Sequence, residues 1–183
     1  DTRRPCYGYD NQSNKLWEIR PRAGLSSCPA STDPSTAGAF TWAWRYDAMR
    51  RVTGTLAPDP DGAGTLHYAA TRNTYDVAGR LTKVESGELG SWVTEATAPS
   101  GWTGVTTFTV HSTVDNFYDG LDRKTLERTL TSDQAIFAAT QYSYDPVGRL
   151  ECTAVRINPA VYLGLPTSAC TLGTPGSFGA DRI

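Results

Sequence analysis

A chain of 183 residues with 17 Lys+Arg against 19 Asp+Glu has no basic surplus with which to follow a phosphate backbone, which argues against a general nucleic-acid binder. No apolar run approaches the roughly 20 residues that a membrane-spanning helix needs. Frequent Thr, Tyr, Trp and Val, with 17 Gly and 11 Pro as punctuation, point to short strands and turns rather than long helices.

In chain order, the first element is a strand leading to Tyr9-Asp10, with one extra residue before Asn14-Lys15-Leu16 resumes the pattern. Cys6 and Cys28 bracket the Gly/Pro/Ser-containing excursion that follows. Next, Trp42, Trp44 and Tyr46 share one face of a strand and read as core, ahead of Asp47 and Arg50-Arg51-Val52. Arg50 is a poor residue for a left-handed turn position, so this turn is expected to differ from the others. "APDPDGAG" (Ala57 to Gly64) is a polar tip. Its Asp59 and Asp61 faintly resemble a calcium loop, but the ladder of ligands is incomplete.

Tyr75-Asp76 then leads to Gly79-Arg80-Leu81, and Leu81 to Glu85 alternate as an amphipathic strand does. Connectors around Glu85 to Trp92 and Ala98 to Gly104 carry Trp92 and Trp102, the tryptophans expected to be exposed. Phe108, Val110, Ser112, Val114, Asn116 and Tyr118 form the longest run at period two, with His111 in the opposite, solvent-facing phase. Asp119 opens a fourth turn towards Asp122-Arg123-Lys124. Ile136, Ala138, Thr140, Tyr142 and Tyr144 lead to the fifth, Asp145-Pro146 and Gly148-Arg149-Leu150. One short helix is predicted near 158–164, with Asn158 as N-cap and Pro159 at its first position. Cys152 and Cys170 bracket this last excursion.

Tyr-Asp therefore recurs five times, at aspartates separated by 37, 29, 43 and 26 residues. A fixed unit with variable connectors is the mark of a repeat array. Asp-x-x-Gly is a type I turn signal: the carboxylate bonds backbone amides just ahead of it, and glycine tolerates positive φ. Each unit reads as a strand–turn–strand hairpin, and since a lone hairpin is marginal in water, the hairpins are expected to stack into one continuous antiparallel sheet. The arginines at the repeat positions (Arg51, Arg80, Arg123, Arg149) are expected to pair with turn aspartates or to stack on aromatic rings. The whole chain, 1–183, reads as one segment of about five hairpins, all-β.

The cysteines allow three pairings, of which the local one, Cys6 with Cys28 and Cys152 with Cys170, is favoured. None has the spacing of a zinc site, and disulfides imply an oxidising compartment. No GxSxG, HExxH, P-loop or dinucleotide motif occurs, so the sequence offers no catalytic, cofactor or metal residues. Five tryptophans leave open a glycan-binding surface centred on the exposed pair. The chain begins at Asp1 without Met or signal peptide and reads as a processed chain or fragment.

"YDVAGRL" and "YDPVGRL" resemble the YD repeat of the RHS family, which includes bacterial polymorphic toxins, the cocoon components of insecticidal toxin complexes, and teneurins. The likeness covers about Tyr7 to Leu150, through Tyr9, Asp10, Tyr46, Asp47, Tyr75, Asp76, Gly79, Arg80, Tyr118, Asp119, Arg123, Tyr144, Asp145, Gly148 and Arg149. The tail "ECTAVRINPAVYLGLPTSACTLGTPGSFGADRI" is similar to the excursion of long RHS-type proteins, after which another unit follows. The resemblance implies hairpins coiling into a β shell that can enclose a toxin. The family's self-cleavage motif and toxin tail have no match, so only a structural role carries over. The expected partners are flanking repeats or copies of this chain at open sheet edges, with an enclosed toxin or a surface glycan as further candidates. The expected location is extracellular or the cell surface.

Overall fold

The computed structural model describes residues 4–21, 25, 27–30, 40–62, 64–103 and 107–183. The described residues form ten strands: β1 (Cys6–Tyr9), β2 (Lys15–Ile19), β3 (Thr41–Tyr46), β4 (Val52–Leu56), β5 (Tyr68–Tyr75), β6 (Leu81–Leu89), β7 (Phe108–Tyr118), β8 (Lys124–Thr131), β9 (Ile136–Tyr144) and β10 (Leu150–Arg156). They lie in one antiparallel sheet in sequence order, a meander in which each strand neighbours the next. The protein is all-β, and in place of a helix near 158–164 there is a three-residue 3-10 turn, Pro159–Val161. Asn158 caps it by accepting a hydrogen bond from the Ala160 amide.

By internal contacts the chain divides into two compact units, Asp1–Asn73 with Glu85–His111, and Thr74–Val84 with Ser112–Ile183. In the first, the core gathers Cys6, Trp17, Ile19, Ala43, Leu56, Ala70 and Leu89 from the strands, with Trp92, Val93 and Trp102 from the long connector after β6. The connector lies on the sheet as a cover, and the strands make room for it. A Cβ on Gly54 would stand 2.6 Å from Pro99 Cγ and 2.7 Å from Trp102 Cη2, so the close approach requires glycine there. The Cys6–Cys28 disulfide ties the first excursion to β1.

The second unit repeats the plan. Thr113, Ala139 and Ala154 are small and buried on the sheet, under a cover that contributes Tyr162 and Ala169. Cys152 is bonded to Cys170. Arg156 is buried and donates to the Thr171 and Ser168 carbonyls, to Gln141 Oε1 and to Asp181 Oδ2. Asp181 in turn accepts the Ile157 and Gly173 amides.

The tryptophan expectations are corrected by this arrangement. Trp92 and Trp102 are 6% and 1% exposed, packed edge-to-face against Tyr68 and Phe108. Trp42, Trp44 and Tyr46 are the half-exposed phase of β3, while Thr41, Ala43 and Arg45 are its buried phase. The covered face carries large side chains as well, Trp17, Ile19 and Leu56 among them, and is small where the connector comes closest, as at Gly54. Arg20 stacks 3.7 Å from the Trp42 centroid and Lys15 stacks 4.2 Å from that of Trp44, covering both rings.

Candidate functional site

Counting from each turn aspartate as position 0, the five Tyr-Asp turns share one hydrogen-bond set. The amide at +3 donates to the aspartate carbonyl, and the aspartate amide donates to the carbonyl at +4, for Asp10, Asp47, Asp76, Asp119 and Asp145 alike. One carboxylate oxygen accepts the amides at +2 and +4, and the other accepts the side chain at +4. This is a three-residue loop, a type I turn closed by a left-handed residue. That residue is Ser13, Arg50, Gly79, Asp122 or Gly148, with φ between 62° and 88°.

Two expectations are corrected here. The first copy needs no extra residue: Ser13 takes the left-handed position, and Asn14 fills the arginine position, giving Nδ2 to Asp10 Oδ2 at 2.8 Å. Nor does the Arg50 turn differ, for Arg50 holds φ 63° and its amide meets the Asp47 carbonyl at 2.9 Å. Its cost is offset locally, because Arg50 Nε donates to Asn14 Oδ1 at 2.9 Å and ties the second turn to the first.

Electrostatics follow from this geometry. The Arg80 and Arg149 amides hold the Asp76 and Asp145 carboxyls below the usual carboxylate range, helped by the guanidinium of the same residue. At Asp10 the Asn14 amide side chain does most of this. Partial burial pushes Asp47 and Asp119 upward, and the bonds from Arg51 and Arg123 more than reverse it.

Successive hairpins meet in a repeated joint. The tyrosine at −1 of one hairpin donates its hydroxyl to the carbonyl at +5 of the hairpin before it: Tyr46 to Lys15 at 3.1 Å, Tyr118 to Leu81 at 2.9 Å and Tyr144 to Lys124 at 2.9 Å. The arginine at +4 of the earlier hairpin lies over the same ring, Arg80 at 5.1 Å from Tyr118 and Arg123 at 4.6 Å from Tyr144. Arg80 also reaches the next turn, at the Asp119 carbonyl and Asp122 Oδ1. Register is constant, since position +7 faces −4 as Trp17 opposite Ala43, Gly54 opposite Arg72 and Leu126 opposite Gln141.

One part of the joint comes in two forms. Where +5 is lysine, −3 is aromatic and the ammonium sits over the ring: Lys15 at 4.2 Å from Trp44, and Lys124 at 5.5 Å from Tyr142. Each of these lysines is also paired with the glutamate at +8, Glu18 or Glu127. Where +5 is apolar, −3 is asparagine and its Nδ2 donates to the +5 carbonyl: Asn73 to Val52 at 2.9 Å, and Asn116 to Leu81 at 3.2 Å. Trp44, Asn116 and Tyr142 stand in the sequence reading only as residues of a strand face, and their pairing with the preceding +5 position, like Asn73, escaped it. Aligning the copies on Tyr-Asp and reading −3 against the preceding +5 is the signal that finds them.

Arginines on the covered face escaped it as well. Arg45 is 3% exposed and donates to the Val93 and Trp44 carbonyls at 2.6 and 3.0 Å, and burial pushes its pKa down, with Glu95 opposing. Arg128 likewise donates to the Tyr162 carbonyl at 2.9 Å. Such residues fasten the covers to the sheet through backbone acceptors. A cleft of about 470 Å³ opens between the first two turns and the cover, lined by Asp10, Gln12, Arg45, Asp47, Glu95 and Pro99 among others. Among the described residues no group of three or more His, Cys, Asp or Glu is placed to hold a metal ion. No described helix is long and apolar enough to cross a membrane. His111 is exposed, 3.6 Å from Glu88, and Asp59 accepts the Asp61 and Gly62 amides in a polar tip.

No family model matches the chain, and no curated protein matches it. Among solved structures it is similar to a chain in "Crystal Structure of TcdB2-TccC3-Cdc42", at 16% identity over 81% of this chain and 7% of that one, with a TM-score of 0.27. A chain in "Crystal Structure of TcdB2-TccC3-TEV" gives 17%, 81%, 7% and 0.28. The chain thus spans a small fraction of these structures, and at such TM-scores the likeness carries no weight beside the repeat geometry.

Proposed function

We propose that this chain is a non-catalytic structural scaffold, a segment of a secreted YD-repeat protein of the RHS kind whose hairpins continue into flanking repeats. The sheet they build is the wall of a shell or an extracellular fibre. The observation that carries this reading is the constancy of the joint: the same tyrosine, carbonyl and register recur at successive hairpins. Repetition of that kind serves extension, whereas catalysis needs one constellation. Two disulfides are compatible with an oxidising, extracellular location.

Glycan binding through Trp92 and Trp102 is not retained, since both indoles lie under the cover. Electron microscopy of the chain with its flanking sequence tests the scaffold reading. A continuous wall or fibre is expected, and separate globules with no shared sheet would overturn it.

A further inference from the structure

The last hairpin ends in a half-built joint. Arg149 has the turn geometry of the other repeat arginines, with Nε 2.7 Å from Asp145 Oδ2, yet its side chain is 81% exposed against 26% to 29% for Arg51, Arg80 and Arg123. Leu150, at +5, is 56% exposed. Among the described residues no strand follows β10 in the sheet, and the isolated bridge made by β10 itself is Val155–Arg182. Every element that receives a tyrosine elsewhere is present here, and the tyrosine is not.

Register says how much of a strand fits. With +7 facing −4, Val155 at +10 would face −7, so the Arg182 bridge closes the edge beyond −6 and leaves Leu150 to Ala154 open. The docking segment is therefore short, running from −6 to the turn aspartate.

The two forms of the joint say which segment it is. Leu150 is apolar, like Val52 and Leu81, and those positions meet asparagine at −3. The chain's own first strand carries Tyr7 at −3, the residue class that elsewhere meets lysine. We infer that the β10 edge, through Arg149 and Leu150, selects an extended strand reading Asn-x-Tyr-Asp and discriminates against β1 of a second copy. This rests on the scaffold reading and adds to it a rule of succession: the residue at +5 chooses the residue at −3 of the hairpin that follows. Physically, an asparagine amide reaches the carbonyl above a short apolar side chain, whereas a lysine stem occupies that space and offers its ammonium to a ring.

The test uses the full oxidised chain and dye-labelled seven-residue peptides read by fluorescence anisotropy. One peptide has the sequence of Ala70–Asp76, and a second differs by Asn73→Trp. The wild-type chain is expected to bind the asparagine peptide about five- to tenfold more tightly, the worth of one hydrogen bond. Leu150→Lys, a change at an exposed site, is expected to reverse the order, and Arg149→Ala to weaken both peptides. Equal affinities, an order unchanged by Leu150→Lys, or no binding of either peptide would each overturn the inference. Those outcomes leave the scaffold reading standing, since microscopy decides that separately, and globules in the microscope would leave peptide selection at β10 intact.

Discussion

The turn aspartate is the residue on which each hairpin closes, and its three classes of partner give it a pH signature. All five are held below the unfolded carboxyl value by amide and side-chain donors. A group with a depressed folded pKa contributes stability that is present above the unfolded value and is lost as pH falls through the folded one. The melting temperature should therefore hold above about pH 5 and decline below about pH 4, and Asp76→Asn should make the decline shallower. An acid limb unchanged in a set of Asp→Asn variants would refute this. At the left-handed position, Gly79→Ala should cost roughly 1–2 kcal/mol in urea denaturation, because φ is 88° there and a Cβ strains it. Much of this was legible in the sequence, since Asp-x-x-Gly-Arg specifies the turn almost completely. The first and second copies are less legible, because residue preference alone does not place Ser13 or Arg50 at the left-handed site. Ser13 and Arg50 are weak choices in isolation, yet the bonds made by Asp10 and Asp47 hold them there.

Between elements, the tyrosine at −1 and the carbonyl at +5 are the fastening. Tyr118→Phe removes the hydroxyl donated to Leu81 while keeping the ring under Arg80. A loss of about 1 kcal/mol in chemical denaturation is expected, and wild-type stability in the variant would show that the ring alone holds the joint. Period-two patterning identified the strands and placed Trp42, Trp44 and Tyr46 on one face. It could not say which face is covered, because that depends on connectors far away in sequence. Ala43 and Gly54 look unremarkable as residues, but they are the floor on which Val93, Pro99 and Trp102 rest. The same reasoning makes Ala139 and Ala154 fully buried while Tyr142 and Tyr144 stay half-exposed.

At the scale of the whole molecule, the covers are held by buried arginines as well as by disulfides. Arg156 and Asp181 form an ion pair at 2.7 Å with side chains 1% and 4% exposed, the kind that is costly to halve. Asp181→Ala should destabilise the second unit by about 3–5 kcal/mol and open the segment after Ile157 to limited proteolysis. Cleavage rates equal to wild type would show that Cys152–Cys170 holds the cover unaided. None of this was visible beforehand, since an arginine eleven residues past an aspartate carries no motif, and its acceptors are mostly main-chain carbonyls. A different consequence lies in what the tyrosine reads. Its acceptor is a main-chain oxygen, whose position does not depend on the side chain borne there, be it Lys15, Leu81 or Lys124. The tyrosine's bond is thus indifferent to drift at the acceptor position, while the contact made by the −3 residue of the following hairpin differs with the side chain borne there. One residue thus carries a bond shared by these joints and a contact that varies between them, so exchange at that position can alter the second without loosening the first.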